Sequence, residues 1–137
     1  MKTRTIRITE NDEKKLRAAI FEAKQGEYRN SLYMQNLEGE LDRAEIVQPE
    51  KVPADVITMN SRVVLTDLAE GDSMELVLVF PEDAGKTADS VSILAPIGTA
   101  MIGYRVGDVF EWDTPDGPAK LRVEKILYQP EAGGVFD

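Results

Sequence analysis

The sequence predicts an α+β protein: an antiparallel pair of helices, then a small antiparallel β unit holding one short helix. Three observations carry this. Apolar residues recur at steps of three and four through the first third of the chain, the period of an amphipathic helix. A stretch bracketed by Pro49 and Pro53 then breaks the pattern. Beyond it, short apolar runs alternate with turn signals, which is how half-buried strands read. A chain of 137 residues makes one ordinary domain or a small domain with an appendage, and 42% apolar residues suffice for a packed core.

Thr5–Ile8 is short and β-branched and reads as an edge strand or an anchoring arm. Thr9 followed by Asp12 resembles a capping box, and the acidic first turn suits the positive end of a helix dipole. Leu16, Ile20 and Ala23 form the stripe of the first helix, with Ala19 and Phe21 widening it, and Gly26 stops it. Asn30 or Ser31 caps a second helix with the stripe Met34, Leu37, Leu41 and Ala44, which ends before Gln48-Pro49. Each helix is expected to run about 16 residues, or about 24 Å. The narrow stripes are those of a two-stranded coiled coil. Gly39 either permits close helix approach or marks a weak spot. Residues 1–49 are read as arm and hairpin, and 50–137 as the β unit.

In the second half Val56–Met59 starts the sheet, and Arg62–Leu68 is a strand before the turn Glu70–Ser73. Met74–Phe80, apolar on both faces, is placed centrally. Ser90–Leu94 is a strand and Pro96–Gly103 a short helix with proline in its first turn. Val109–Asp113, with Phe110 and Trp112 on one face, and Ala119–Tyr128 flank the hairpin turn Thr114–Gly117. The alternation falters at Lys125–Leu127, where a bulge is expected, and Gln129–Asp137 reads as a loose tail. Only one connection has room for a crossover helix, so a parallel sheet is excluded.

The composition closes off much chemistry. There is no cysteine and no histidine, which removes disulfides, thiolate ligands and the commonest general base and metal ligand. No phosphate loop, dinucleotide fingerprint, zincin motif or EF-hand loop is present. Asp108, Glu111 and Asp113 lie close in sequence but read as a solvated face. No catalytic residue, metal or cofactor is expected, and the residues point to a binding protein and not an enzyme. The net charge is −9, nearly all of it in residues 51–137, which argues against strong direct binding to nucleic acid. The start of the chain carries charge where a signal peptide is apolar, and no apolar run reaches the ~18 residues that span a bilayer. A cytoplasmic monomer is expected, with no membrane partner.

The most apolar uninterrupted run is Ser92–Gly103, which is either buried core or a docking surface. Extended as far as Gly117, the string SILAPIGTAMIGYRVGDVFEWDTPDG resembles the Gre transcription elongation factors. That family carries Ser, then Ala or Ser before Pro and a hydrophobic residue, then Ala and two hydrophobics before Gly, with Gly-Asp and a Pro-x-Gly hairpin downstream. Here these are Ser92, Ala95-Pro96-Ile97, Ala100–Gly103, Gly107-Asp108 and Pro115–Gly117. The strings ELDRAEIVQPEKVPADVITMNSRV and YQPEAGG look like one branch of it, the regulators of nucleoside diphosphate kinase (Rnk). The branch name suggests an effect on that kinase, direct or through transcription. The first 30 residues match only in layout.

The resemblance implies an FKBP-like second domain that docks on RNA polymerase at the rim of the secondary channel, the hairpin pointing into it. It implies polymerase contacts at Leu94, Ala95, Pro96 and Ile97, with Ser92 nearby, and assigns Met101 and Ile102 to the core. The hairpin tip departs from the cleavage factors, which hold two carboxylates there for a second magnesium ion of the polymerase. Here it is Glu22, Gln25, Gly26, Glu27, Tyr28 and Arg29, with Ala23 and Lys24 between. The expectation is a regulator that competes with Gre factors without transcript cleavage. Two alternatives stay open: a true cleavage factor using Glu22 or Glu27, and, by fold analogy, a peptidyl-prolyl isomerase.

Overall fold

The arm Thr5–Ile8 is anchored by burying Ile6 and Ile8. Arg7–Ile8 (β1) pairs in parallel with Glu45–Ile46 (β2), fastened by the Arg7–Glu45 ion pair. The computed structural model describes residues 5–26 and 31–134, without the side chains of Tyr33 and Asp113.

Helix α1 spans Glu10–Lys24. Thr9 Oγ1 accepts from the Asp12 backbone N–H at 3.2 Å, the cap expected from the spacing. Leu16 and Ile20 are buried with Asp12 beside them, but Phe21 is 68% exposed. At 100° per residue it falls outside the buried arc, so it does not widen the stripe. Helix α2, Leu32–Asp42, is capped by Ser31 and buries Met34, Leu37 and Leu41. It stops well short of Pro49 because Glu45–Ile46 turn away to pair with the arm. Arg17 pairs with Asp42 and Lys24 with Glu38, so the contacts run in opposite order along the two helices. A Cβ on Gly39 would meet only the tip of Arg43, at 3.6 Å. Close helix approach therefore does not require a glycine here.

The main sheet has the order β5-β4-β3-β7-β6. Its strands are Arg62–Asp67 (β3), Ser73–Val79 (β4), Ser90–Ser92 (β5), Val109–Thr114 (β6) and Gly117–Tyr128 (β7). Three expectations fail. The central strand is β3 and not Met74–Phe80, because the long β7 returns to β3 and leaves β4 beside the edge. The sheet is not wholly antiparallel, because the connection through the 3-10 turn Pro81–Asp83 brings β5 back parallel to β4. Val56–Met59 is no strand. It is a buried loop with a single bridge from Val56 to Arg105, and Ile57 is held by backbone bonds to Gly103 and Tyr104.

The faltering alternation near Lys125–Leu127 does mark a bulge. The β3–β7 register slips twice, leaving Leu127 and Glu124 as the extra residues. Helix α3, Pro96–Met101, lies against β6 and also touches β5 and α2. The buried residues of α1 and α2 join those of the sheet and α3 in one cluster.

Residues 129–131 are not a loose tail. The Gln129 side-chain amide donates to the carbonyls of Pro53 and Val56, both at 2.7 Å, and Thr58 Oγ1 donates to Glu131 Oε1 at 2.7 Å. The C-terminal segment thus straps the Pro53–Ser61 loop, because a buried loop must find partners for its polar groups.

Candidate docking site

The Ser92–Gly103 run divides at a strand-to-helix corner. Ser92 ends β5; its hydroxyl accepts from the Leu94 N–H at 3.0 Å and its carbonyl from the Ala95 N–H at 3.0 Å. Ala95 caps α3, and Pro96 opens the helix, where its missing N–H and fixed φ cost nothing. The corner is set by a residue that the sequence did not single out. A Cβ on Gly98 would stand 2.1 Å from the Ser92 carbonyl oxygen, so only glycine lets α3 lie this close to β5.

Ser92, Leu94, Ala95, Pro96 and Ile97 are all half-buried. Leu94 and Ile97 rest on the core, while Met101 and Ile102 lie within it. The corner therefore offers a small apolar ridge backed by packed residues.

Beside it runs a groove of about 640 Å³ between α1 and the sheet end. Ala18, Ala19, Ala23 and Gly26 of the first helix and its end form one side; Phe80, Pro81 and Leu94 form the other. Lys15, Glu22 and Glu82 supply its charges. The groove brings together two residues assigned to separate places by the sequence, Leu94 of the corner and Glu22 of the tip. Lys15, Phe80, Pro81 and Glu82 were missed, and no sequence signal joins them: only tertiary packing sets α1 beside the end of β4. Gln25 caps α1 and is exposed. Glu27, Tyr28 and Arg29 lie outside the described residues.

One ionisable group at the base of α1 is strongly perturbed. Burial lifts the Asp12 carboxyl to about 6, the nearby charge of Glu131 adds to the rise, and Lys15 opposes it. The aromatic residues do not converge on a pocket: Tyr104 stacks on Phe110 with centroids 5.1 Å apart, and of the described aromatics only Phe80 lines the groove. Among the described residues no group of three or more carboxylates is placed to hold a metal ion, and no helix is long and apolar enough to cross a membrane.

The family model described as transcription elongation factor GreA/GreB, C-terminal, matches residues 52–128, which contain the whole main sheet, α3 and the corner. The chain belongs to this family. Its relatives include the regulator of nucleoside diphosphate kinase of Escherichia coli K12, 44% identical over 101 residues, covering 73% of this chain and 74% of that protein. Transcription elongation factor GreA of Acetivibrio thermocellus is 30% identical over 90 residues, covering 66% of this chain and 57% of that protein. Among solved structures, the elongation factor GreA/GreB from Nitrosomonas europaea matches with a TM-score of 0.77 at 34% identity, covering 90% of this chain and 100% of that one. The transcription factor Gfh1 matches at 0.51 and 25% identity, covering 93% of this chain and 100% of that one.

Proposed function

We propose that this protein is a non-catalytic transcription regulator that binds RNA polymerase at the rim of the secondary channel and competes there with cleavage-stimulating Gre factors. The observation that carries the reading is the corner: the family match spans it, and Pro96 and Ile97 stand half-buried on a rigid support instead of within the core. In this reading the sheet and α3 are the FKBP-like docking domain, and α1 and α2 form the hairpin directed at the channel. The missing catalysis rests on the tip. Glu22 faces the groove beside Phe80–Glu82, and Lys24 is engaged by Glu38 of α2. Two convergent free carboxylates are what a second magnesium ion would need.

Capture of purified core RNA polymerase by the tagged protein tests this. Pro96→Asp is the informative variant. Aspartate at the first helical position suits the helix dipole and leaves the fold intact, but it puts a charge on the apolar ridge. Loss of capture by this variant, and displacement of the wild type by a cleavage-competent Gre factor, support the reading. Failure of the wild type to bind ends it. Shortened transcripts from a backtracked complex would instead make the protein a cleavage factor.

A further inference from the structure

Most charges on α1 are committed. Lys14 pairs with Glu10, Arg17 with Glu13 and Asp42, and Lys24 with Glu38. Lys15 and Glu22 are in no ion pair among the described residues, and these are the two charges that α1 turns to the groove. Across from them Glu82 also makes no ion pair among the described residues; its charge is felt by Lys86, as that of Lys15 is by Asp12, without a direct contact. Unpaired charge on both walls of a cleft with apolar sides focuses the field within it. Along α1 the groove is polar in direction: Glu22 stands towards the Gly26 end and Lys15 about 10 Å away along the helix axis, with Glu82 among the lining residues of the groove.

We propose that this groove seats a surface segment of RNA polymerase that presents a basic side chain and, about 10 Å further along, an acidic one. The basic stem lies over Phe80, Pro81 and Leu94, and its head enters between Glu22 and Glu82. Arginine suits the position better than lysine, because its planar head reaches two carboxylates at once. The acidic side chain meets Lys15. The small residues of α1 leave the room that the stem occupies. This assignment rests on the polymerase reading and extends it: the docking surface becomes a site shared by the corner and α1, joined at Leu94, so the helices take part in binding at their base as well as at their tip.

The test measures affinity of the fluorescently labelled protein for core RNA polymerase by anisotropy across a salt series. Glu22→Lys combined with Glu82→Lys is expected to weaken binding about a hundredfold, roughly tenfold per lost charge-assisted contact, and to flatten the salt dependence. Glu70→Lys combined with Glu111→Lys makes the same change in net charge at exposed positions outside the groove and is expected to cost less than about threefold. Ala18→Trp fills the groove from an exposed position without entering the core and is expected to cost about tenfold with the salt slope unchanged. All these sites are exposed, and an unchanged circular dichroism melt certifies each fold. If the groove variants bind as the wild type does while Pro96→Asp does not, the groove assignment is wrong and the polymerase reading stands. If both pairs of reversals weaken binding equally, the effect is net charge alone and the assignment falls. If the wild type itself does not bind, both fall.

Discussion

Replacing Asp12 with asparagine should change how stability depends on pH. Asp12 is only 6% exposed, at the start of α1, with its carboxyl raised from 3.8 to about 6 by burial first and by Glu131 second. An acid with a raised folded-state pKa binds more protons folded than unfolded between the two values. Stability therefore falls as pH rises from about 4 to about 6; the cost is absent below that window and fully present above it. At about 1.4 kcal/mol per pH unit the full shift is worth about 3 kcal/mol as an upper bound. Between about pH 5 and 7.5 the linkage expression leaves about 1.4 kcal/mol of it, and screening at the helix edge reduces this to about 1 kcal/mol.

Asp12→Asn abolishes this dependence and keeps a side chain of the same shape. Urea unfolding followed by circular dichroism from about pH 5 to 8 should show the variant gaining about 1 kcal/mol on the wild type across the range, or about 4 °C in melting temperature for a chain of this size. Glu131→Gln should shrink the wild-type slope, since it removes the second cause. Parallel wild-type and Asp12→Asn curves would mean that Asp12 is no buried acid with a raised pKa.

Two glycines give opposite outcomes. Gly98→Ala drives a Cβ into the Ser92 carbonyl at 2.1 Å, so α3 must shift; a loss of about 1–3 kcal/mol is expected, and weaker polymerase capture with it, read by denaturant unfolding and pull-down. Gly39→Ala meets only the Arg43 side chain, so the better helix residue should raise stability by about 0.5–1 kcal/mol, seen as a higher melting temperature.

The helices were legible because their signals are local. The steps of Leu16 and Ile20, and of Met34, Leu37 and Leu41, fix a face by geometry within one helix, and the Thr9 and Ser31 caps act within three residues. Even there the edge of the stripe misled: Phe21 is apolar and still faces solvent, because local spacing cannot say how wide an arc the partner covers. The bulge in β7 was legible for the same local reason, a break in alternation. The parallel placement of β5 and the loop at Val56–Met59 were not, because strand pairing is chosen among distant segments.

The amino-acid sequence by itself determined the family, the two helices, the apolar run at the corner and the lack of histidine and cysteine chemistry. Tertiary structure alone divided that run. Packing of α3 on β5 through Gly98 sends Met101 and Ile102 inward and leaves Pro96 and Ile97 half-buried at the corner. It also laid α1 beside Phe80 and Leu94, making a groove from residues about sixty positions apart. Burial and proximity arise from contacts between distant residues, and such contacts leave no period in the chain to read.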